Sequence, residues 1–416
     1  MLLPCEEADI TPTSAIDMGC RTITTVPHGG EQEMRKTPIL TGMAAAAGLV
    51  AALGVVVAPA AGAQARGQHH SSGFKVIASH LNNPRGLAWG PRGAIFLAEA
   101  GRGGKTCLSG GPEGKTCVGL TGSFDVIAKS GVHRLATGLI SASGAGGVAA
   151  EGLVSVSRAP RGGVFALFGE NTHIVPPKGA IPQRLRQAAL HELGRLFLAT
   201  GHGAVSIARV GDQDWTWTSK RVHLAPKDFP DANPNNVVRA GGRTYVVDAG
   251  ANVLTQVLRN GQTRVRAFFP VRHYPPDAVP TCAAQGPDGA LYVGELLGGS
   301  YAPGHARVWR IVPGQKPKVW ATGLTTVQGC GFGSDGAFYA TEFQTGGLTS
   351  TNPAGDVVRI APNGHRTRLG VGTLFNPSGF LAGPHGSVYV SNCSIAPATG
   401  LGPQLCPAGG QVVRVG

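Results

Sequence analysis

A short apolar run led by glycine recurs six times along the chain, at Gly93-Ala-Ile-Phe-Leu, Gly162-Gly-Val-Phe-Ala, Gly242-Arg-Thr-Tyr-Val, Gly289-Ala-Leu-Tyr-Val, Gly336-Ala-Phe-Tyr-Ala and Gly386-Ser-Val-Tyr-Val. Each run has strand length and is rich in β-branched and aromatic residues, and the glycine before it suits a turn that needs positive φ. The copies are 69, 80, 47, 47 and 50 residues apart. A period near 47 to 50 residues with several strands and turns per unit is that of a propeller blade of four antiparallel strands. Alternating segments such as Ala306-Arg-Val-Trp-Arg-Ile and Asp356-Val-Val-Arg-Ile supply the further strands of each blade.

The pattern predicts an all-β, six-bladed β-propeller. Gly194-Arg-Leu-Phe-Leu also fits the repeat and opens the alternative of seven blades. Only 32 residues separate it from Gly162, so it is read as the outer half of the second blade. The segment Phe74-Lys-Val-Ile-Ala-Ser-His-Leu resembles an outermost strand, and the last copy ends at Gln411-Val-Val-Arg-Val-Gly without one. The N-terminal strand is therefore predicted to complete the last blade, which removes exposed sheet edges.

Composition narrows the alternatives. The 416 residues include 64 Gly and 30 Pro, roughly double ordinary usage, with a normal hydrophobic share of 42%. Helical bundles and coiled coils are disfavoured, because Gly and Pro cost a helix interior about 1 and 3 kcal/mol. The first 65 residues are read apart from the folded body. Met34-Arg-Lys, an apolar stretch from Met43 to Ala63 and the ending Ala63-Gln-Ala describe a secretory signal peptide cleaved near Ala65. The domain expectation is an upstream extension over 1–33, the signal peptide over 34–65, a short linker over 66–73 and one propeller over 74–416. An uncleaved membrane anchor is the alternative, since about 20 apolar residues can span a bilayer. With cleavage, a secreted monomer with no transmembrane span is expected.

Beyond Ala65 there are 33 Lys and Arg against 17 Asp and Glu, a net charge of +16. These charges are scattered among turns without a basic stripe, which argues against nucleic acid as a partner. Weak attraction to anionic envelope or extracellular polymers fits better. The six cysteines of this part, Cys107, Cys117, Cys282, Cys330, Cys393 and Cys406, form an even set in an exported chain. Sequence proximity pairs Cys107 with Cys117 and Cys393 with Cys406, leaving Cys282 for Cys330. A zinc site is the weaker alternative, because no C-x-x-C stands beside a matching His pair.

Several segments carry a family resemblance: Leu81-Asn-Asn-Pro-Arg-Gly-Leu-Ala, Gly101-Arg-Gly-Gly before a cysteine-containing loop, Asp231-Ala-Asn-Pro-Asn-Asn and Val247-Asp-Ala-Gly-Ala-Asn-Val-Leu. Over about Phe74 to Gly416 the chain resembles the ScyD/ScyE-like family. Members of that family look like exported propellers of the NHL and gluconolactonase-like class, and the resemblance implies no settled reaction. Gly144 to Leu224 matches only loosely.

Two rings of residues are candidates for function. Six positions after each turn glycine stand Glu99, Asp248, Glu295, Glu342 and Asn392, with Glu170 shifted by two in blade 2. Repetition in nearly every blade reads as structure: a short acceptor tying down backbone N–H groups of the next turn. The second ring lies where each blade's first strand begins, facing the central channel: Arg85, Glu151, Asn235, Thr281, Gln328 and Ser378. Its chemistry differs from blade to blade, as a site for one asymmetric ligand requires. Gluconolactonase-like propellers imply a divalent cation such as calcium at comparable entries, and here Glu151 and Asn235 are the metal candidates. His202 is a general-base candidate if it reaches the channel, His273 sits in another turn, and Asn392-Cys-Ser formally fits a glycosylation sequon. There is no G-x-S-x-G elbow. The expected role is binding a small molecule, polysaccharide or envelope component, or scaffolding. The alternative is a lactonase-like hydrolase or a sugar-oxidising enzyme using metal or quinone.

Overall fold

The protein was analysed as a computed structural model, which describes residues 73–111, 114–270, 277–298 and 303–416. The chain divides into Met1–Thr37 and Pro38–Gly416, and all described residues belong to the second unit. The upstream extension, the leader, residues 66–72 of the linker and His273 lie outside them.

Six antiparallel sheets follow one another. Blade 1 contains Pro84–Trp89, Ile95–Glu99, Gly114–Ala128 and the outer strand Gly131–Ser143, with Thr106–Gly111 paired to the start of its long third strand. Blade 2 contains Leu153–Arg158, Val164–Phe168, Arg195–Thr200 and Gly203–Arg209; blade 3 contains Pro234–Ala240, Arg243–Asp248, Val253–Val257 and Thr263–Phe268. Blade 4 contains Pro280–Gln285, Leu291–Glu295, Ala306–Ile311 and Lys318–Leu324, and blade 5 Val327–Phe332, Phe338–Glu342, Ala354–Ile360 and Arg366–Phe375. Blade 6 has Phe380–Ala382, Val388–Asn392 and Gly410–Val415, and Lys75–Leu81 pairs with the last of these to close the ring.

Gly194 therefore leads into the third strand of blade 2, and the seven-blade alternative is excluded by the sheet order. The glycine-led runs form the second strands. They are apolar without alternation because neighbouring blades cover both faces, as in Val164–Phe168, where every residue is buried. All six repeat glycines adopt φ between 74° and 79°, the left-handed region that a Cβ disfavours.

Two helices depart from the all-strand expectation: α1, Gln183–Glu192, and α2, Val210–Ser219. Both lie between Gly144 and Leu224, where the repeat pattern lapses. The α1 sequence contains neither Gly nor Pro, so the penalty that argues against helices elsewhere is absent. Its Leu185, Ala188 and Ala189 pack on the apolar cluster shared by blades 1 and 2.

Three disulfides link Cys107–Cys117, Cys282–Cys330 and Cys393–Cys406, the pairings expected from sequence. The first does not close an irregular loop, since the two cysteines face each other across a β-hairpin. The second joins the first strands of blades 4 and 5. No helix among the described residues is long and apolar enough to cross a membrane.

Candidate functional site

The first strands of four blades carry Arg85, Asn235, Thr281 and Gln328, and the residues just before the other two carry Glu151 and Ser378, onto the wall of one cavity at the ring's centre, with about 110 Å³ open to water. That is room for several water molecules or a small polar group. The inner strands approach closely because glycine follows several entry residues. A Cβ on Gly329 would lie 2.2 Å from the Ser378 carbonyl oxygen, and one on Gly379 2.1 Å from the Arg85 carbonyl oxygen.

The six side chains do not all face the cavity in the same way. Thr281 and Ser378 are buried, and their hydroxyls donate to the carbonyls of Val327 at 2.5 Å and Pro84 at 3.3 Å, each in the next blade. They fasten neighbouring blades. Arg85, Glu151, Asn235 and Gln328 are half-buried. Among the described residues, the side-chain amides of Asn235 and Gln328 have no hydrogen-bond partner, which leaves two donors and an acceptor on each for a ligand. Arg85 Nη2 donates to the Ala150 carbonyl at 2.7 Å and lies 3.7 Å from Glu151 Oε1. Burial pushes the Glu151 carboxyl above its ordinary range, with Arg85 opposing.

Four further residues that entry alignment does not single out line the same cavity: Glu170, Asp231, Asn233 and Asp277. Asn233 Oδ1 accepts from the Glu170 N–H at 2.9 Å, and its Nδ2 donates to Glu170 Oε1 at 3.3 Å, joining blade 2 to the entry of blade 3. Burial raises Asp231 to about 7, reinforced by Asp248 and Asp228. Asp277 also rises to about 7, through burial and then the charges of Asp228 and Asp231. Both residues sit in loops before first strands, just outside the aligned entries. The Asp231-Ala-Asn-Pro segment was the available signal for the first.

Glu151 and Asn235 do not by themselves make a calcium site. The ion takes 6 to 8 oxygen ligands, whereas Glu151 faces Arg85 and, among the described residues, no three His, Cys, Asp or Glu side chains are grouped to share an ion. Glu151 and Asn235, the two metal candidates, both line the cavity.

The repeated acceptors act mainly backwards, on the turn before their own blade, rather than on the next turn. Glu99 Oε2 accepts from the Asn82 N–H, Asp248 Oδ1 from Asn233 at 2.7 Å, Glu342 Oε1 from Thr325 at 2.7 Å and Asn392 Oδ1 from Phe375 at 2.7 Å. Asp248 also accepts from the following Ala251 N–H at 2.8 Å. In blade 4 Glu295 instead receives Arg307 in a two-pronged pair and the Trp309 indole N–H at 2.6 Å.

The acceptors differ in how their charge is compensated. Arg368 bridges Glu342 and Asp356 in blade 5. In blade 1 the neighbouring Asp125 adds to the burial that raises Glu99, and Asp248 of blade 3 adds to the burial that raises Asp214 of α2. Glu99 Oε1 and Asp125 Oδ1 are buried with no donor of their own, so a proton held on Glu99 can serve both carboxyls. Burial, followed by Asp125, pushes Glu99 up to about 9.

No family model matches the chain, and no curated protein matches it. Similar solved structures exist. Virginiamycin B lyase from Staphylococcus aureus is 12% identical with a TM-score of 0.43, covering 77% of this chain and 82% of that one. Regucalcin, a calcium-binding protein from Agrobacterium tumefaciens, is 13% identical with a TM-score of 0.47, over 82% and 92%. The PQQ-bound aldose sugar dehydrogenase of Streptomyces coelicolor is 12% identical with a TM-score of 0.45, over 82% and 98%. Similarity at this level carries no chemistry to the present site.

Two other candidates are placed away from the channel. His202 is exposed in the turn between the outer two strands of blade 2, and so does not serve as a base there. Asn392 is 2% exposed, and its amide donates to Gln411 at 3.1 Å, which leaves no access for glycosylation of the folded chain.

Proposed function

We propose that this chain is an exported, ScyD/ScyE-like propeller that binds a small polyhydroxylated molecule, or one unit of an envelope polysaccharide, at the mouth of its channel. The observation that carries the reading is the convergence of Arg85, Glu151, Asn235 and Gln328 from four different blades on one cavity. A guanidinium, carboxyls and two unspent amides offer donors and acceptors in an asymmetric array, which suits hydroxyl groups better than a symmetric ion. Export is supported by three disulfides, which persist in oxidising compartments. The domain reading is a cleaved leader ending near Ala65 and a single monomeric propeller from Phe74 onward.

The test is calorimetric titration of the exported protein against a panel of monosaccharides, uronic acids and envelope polysaccharides. A saturable ligand is expected, and Arg85→Gln or Gln328→Ala should weaken it about tenfold through loss of one or two hydrogen bonds. No binding across the panel, or binding untouched by both substitutions, would overturn the proposal. The hydrolase alternative predicts chelator-sensitive turnover of lactones that falls in Glu151→Gln; its appearance would replace the binding role with a catalytic one.

A further inference from the structure

Blades 1 and 2 do not close on each other as blades 4 and 5 do. Between the latter, Tyr292, Trp320, Phe332 and Phe338 form an aromatic plug, with ring centroids 4.9 Å apart for Tyr292 and Phe332, 5.0 Å for Tyr292 and Trp320, and 5.3 Å for Trp320 and Phe338. The repeat identifies the equivalent positions. Trp320-Ala-Thr-Gly-Leu corresponds to Leu135-Ala-Thr-Gly-Leu, and Phe332 and Phe338, placed four before and two after Gly336, correspond to Arg158 and Val164 around Gly162. Tyr292 corresponds to Phe96. Three of the four plugging rings are therefore missing between blades 1 and 2.

A cleft of about 540 Å³ occupies the unfilled space. Its walls carry phenyl rings from both blades: Phe96 and Phe124, 5.5 Å apart, on one side, and Phe168 and Phe197, 5.6 Å apart, on the other. Gly201, Gly203 and Ala204 leave the rim on blade 2 nearly free of side chains, and Leu135 at the opposite rim is 53% exposed. Two ionisable side chains, His191 and Glu192, sit in this otherwise apolar wall, the His191 ring 5.7 Å from that of Phe197. Glu192, the last residue of α1, is half-buried there and accepts the Ile140 N–H through Oε2 at 2.7 Å. Burial raises its carboxyl to about 7.

We infer that the cleft between blades 1 and 2 binds a flat aromatic small molecule of two or three rings that carries a hydrogen-bond donor, the rings taking the place of the missing plug and the donor meeting Glu192. Cleft size and a mostly apolar lining with a few polar groups, His191, Glu192 and Thr200, are those of a small-molecule site. Rings on both walls favour an aromatic guest by stacked and edge-on contacts. The carboxyl selects a neutral or cationic donor over an anion.

The test is fluorescence titration of the full, disulfide-intact protein with 1-aminoanthracene. The expected result is saturable one-to-one binding with a blue-shifted spectrum. Leu135→Trp/Val164→Phe, which rebuilds the plug from within, should weaken binding about tenfold or more. Ala204→Trp at the exposed rim, a variant that does not depend on repacking the interior, should weaken it similarly. Arg85→Gln, in the channel, should leave it unchanged, so failure of the channel proposal and failure of this one are separable. Absence of saturable binding, undiminished binding in the Ala204→Trp protein, or loss of binding in Arg85→Gln would each overturn the assignment.

Discussion

Replacing Glu99 by Gln tests the shared proton in blade 1. The folded chain holds a proton on Glu99 that a solvated glutamate, with an ordinary value of 4.5, releases on unfolding. Since the folded value is raised to about 9, the folded state binds more protons than the unfolded state between these limits, and stability falls as pH rises through that window. The slope is about 1.4 kcal/mol per pH unit for one proton. From pH 5.5 to 8.5 the wild-type chain should therefore lose about 4 kcal/mol from this group. Gln reproduces the protonated state: its oxygen can accept the Asn82 N–H, and its amide can donate to Asp125. Glu99→Gln removes the pH dependence of this one site while Asp231, Asp248 and Asp277, whose values are also raised, continue to titrate in both proteins. Urea unfolding of both proteins at pH 5.5, 7.0 and 8.5 measures the difference directly. The variant should gain stability over wild type steadily as pH rises. A stability difference that stays constant from pH 5.5 to 8.5 would refute the proton-sharing account.

Removing the Cys282–Cys330 disulfide by alanine substitution should cost about 4 kcal/mol of unfolding free energy, because it closes 48 residues of chain; Cys107–Cys117, closing 10, should cost about 3 kcal/mol by the same loop-entropy relation. Equal or reversed losses in denaturant titrations would contradict that ordering. Gly379→Ala should destabilise by about 3 kcal/mol, since the new methyl meets the Arg85 carbonyl oxygen at 2.1 Å and both inner strands must shift. Gly201→Ala, with nothing within 4 Å of the added carbon, should change stability by less than about 0.5 kcal/mol. Comparable thermal shifts for the two glycine variants would show that inner-strand spacing is not what glycine maintains.

Much of the ring was legible in the sequence because its physics is local and repeated. A turn needing positive φ selects Gly at 93, 162, 242, 289, 336 and 386, and a second strand covered on both faces selects an unbroken apolar run. The terminal segments showed how the ring closes, since only one blade lacked an outer strand. The disulfide partners followed from proximity and elimination. The entry alignment also named six residues that line one cavity.

Tertiary structure decided what each of those residues does there. Thr281 and Ser378 occupy the same repeat position as Gln328, but neighbouring carbonyls lie within reach of their hydroxyls and none pairs with the Gln328 amide. The direction of the acceptor ring depended on sheet register, which puts Pro84 opposite Glu99 and Pro234 opposite Asp248 and so turns each carboxyl back towards its own entry. The two helices were invisible for a related reason. They arise in the one stretch where the repeat lapses, and there, burial against neighbours rather than any periodic signal sets the conformation. Sequence periodicity determined the closed ring because every blade solves the same packing problem; the sites depend on how unlike side chains meet across blades, and that is a property of distances in space.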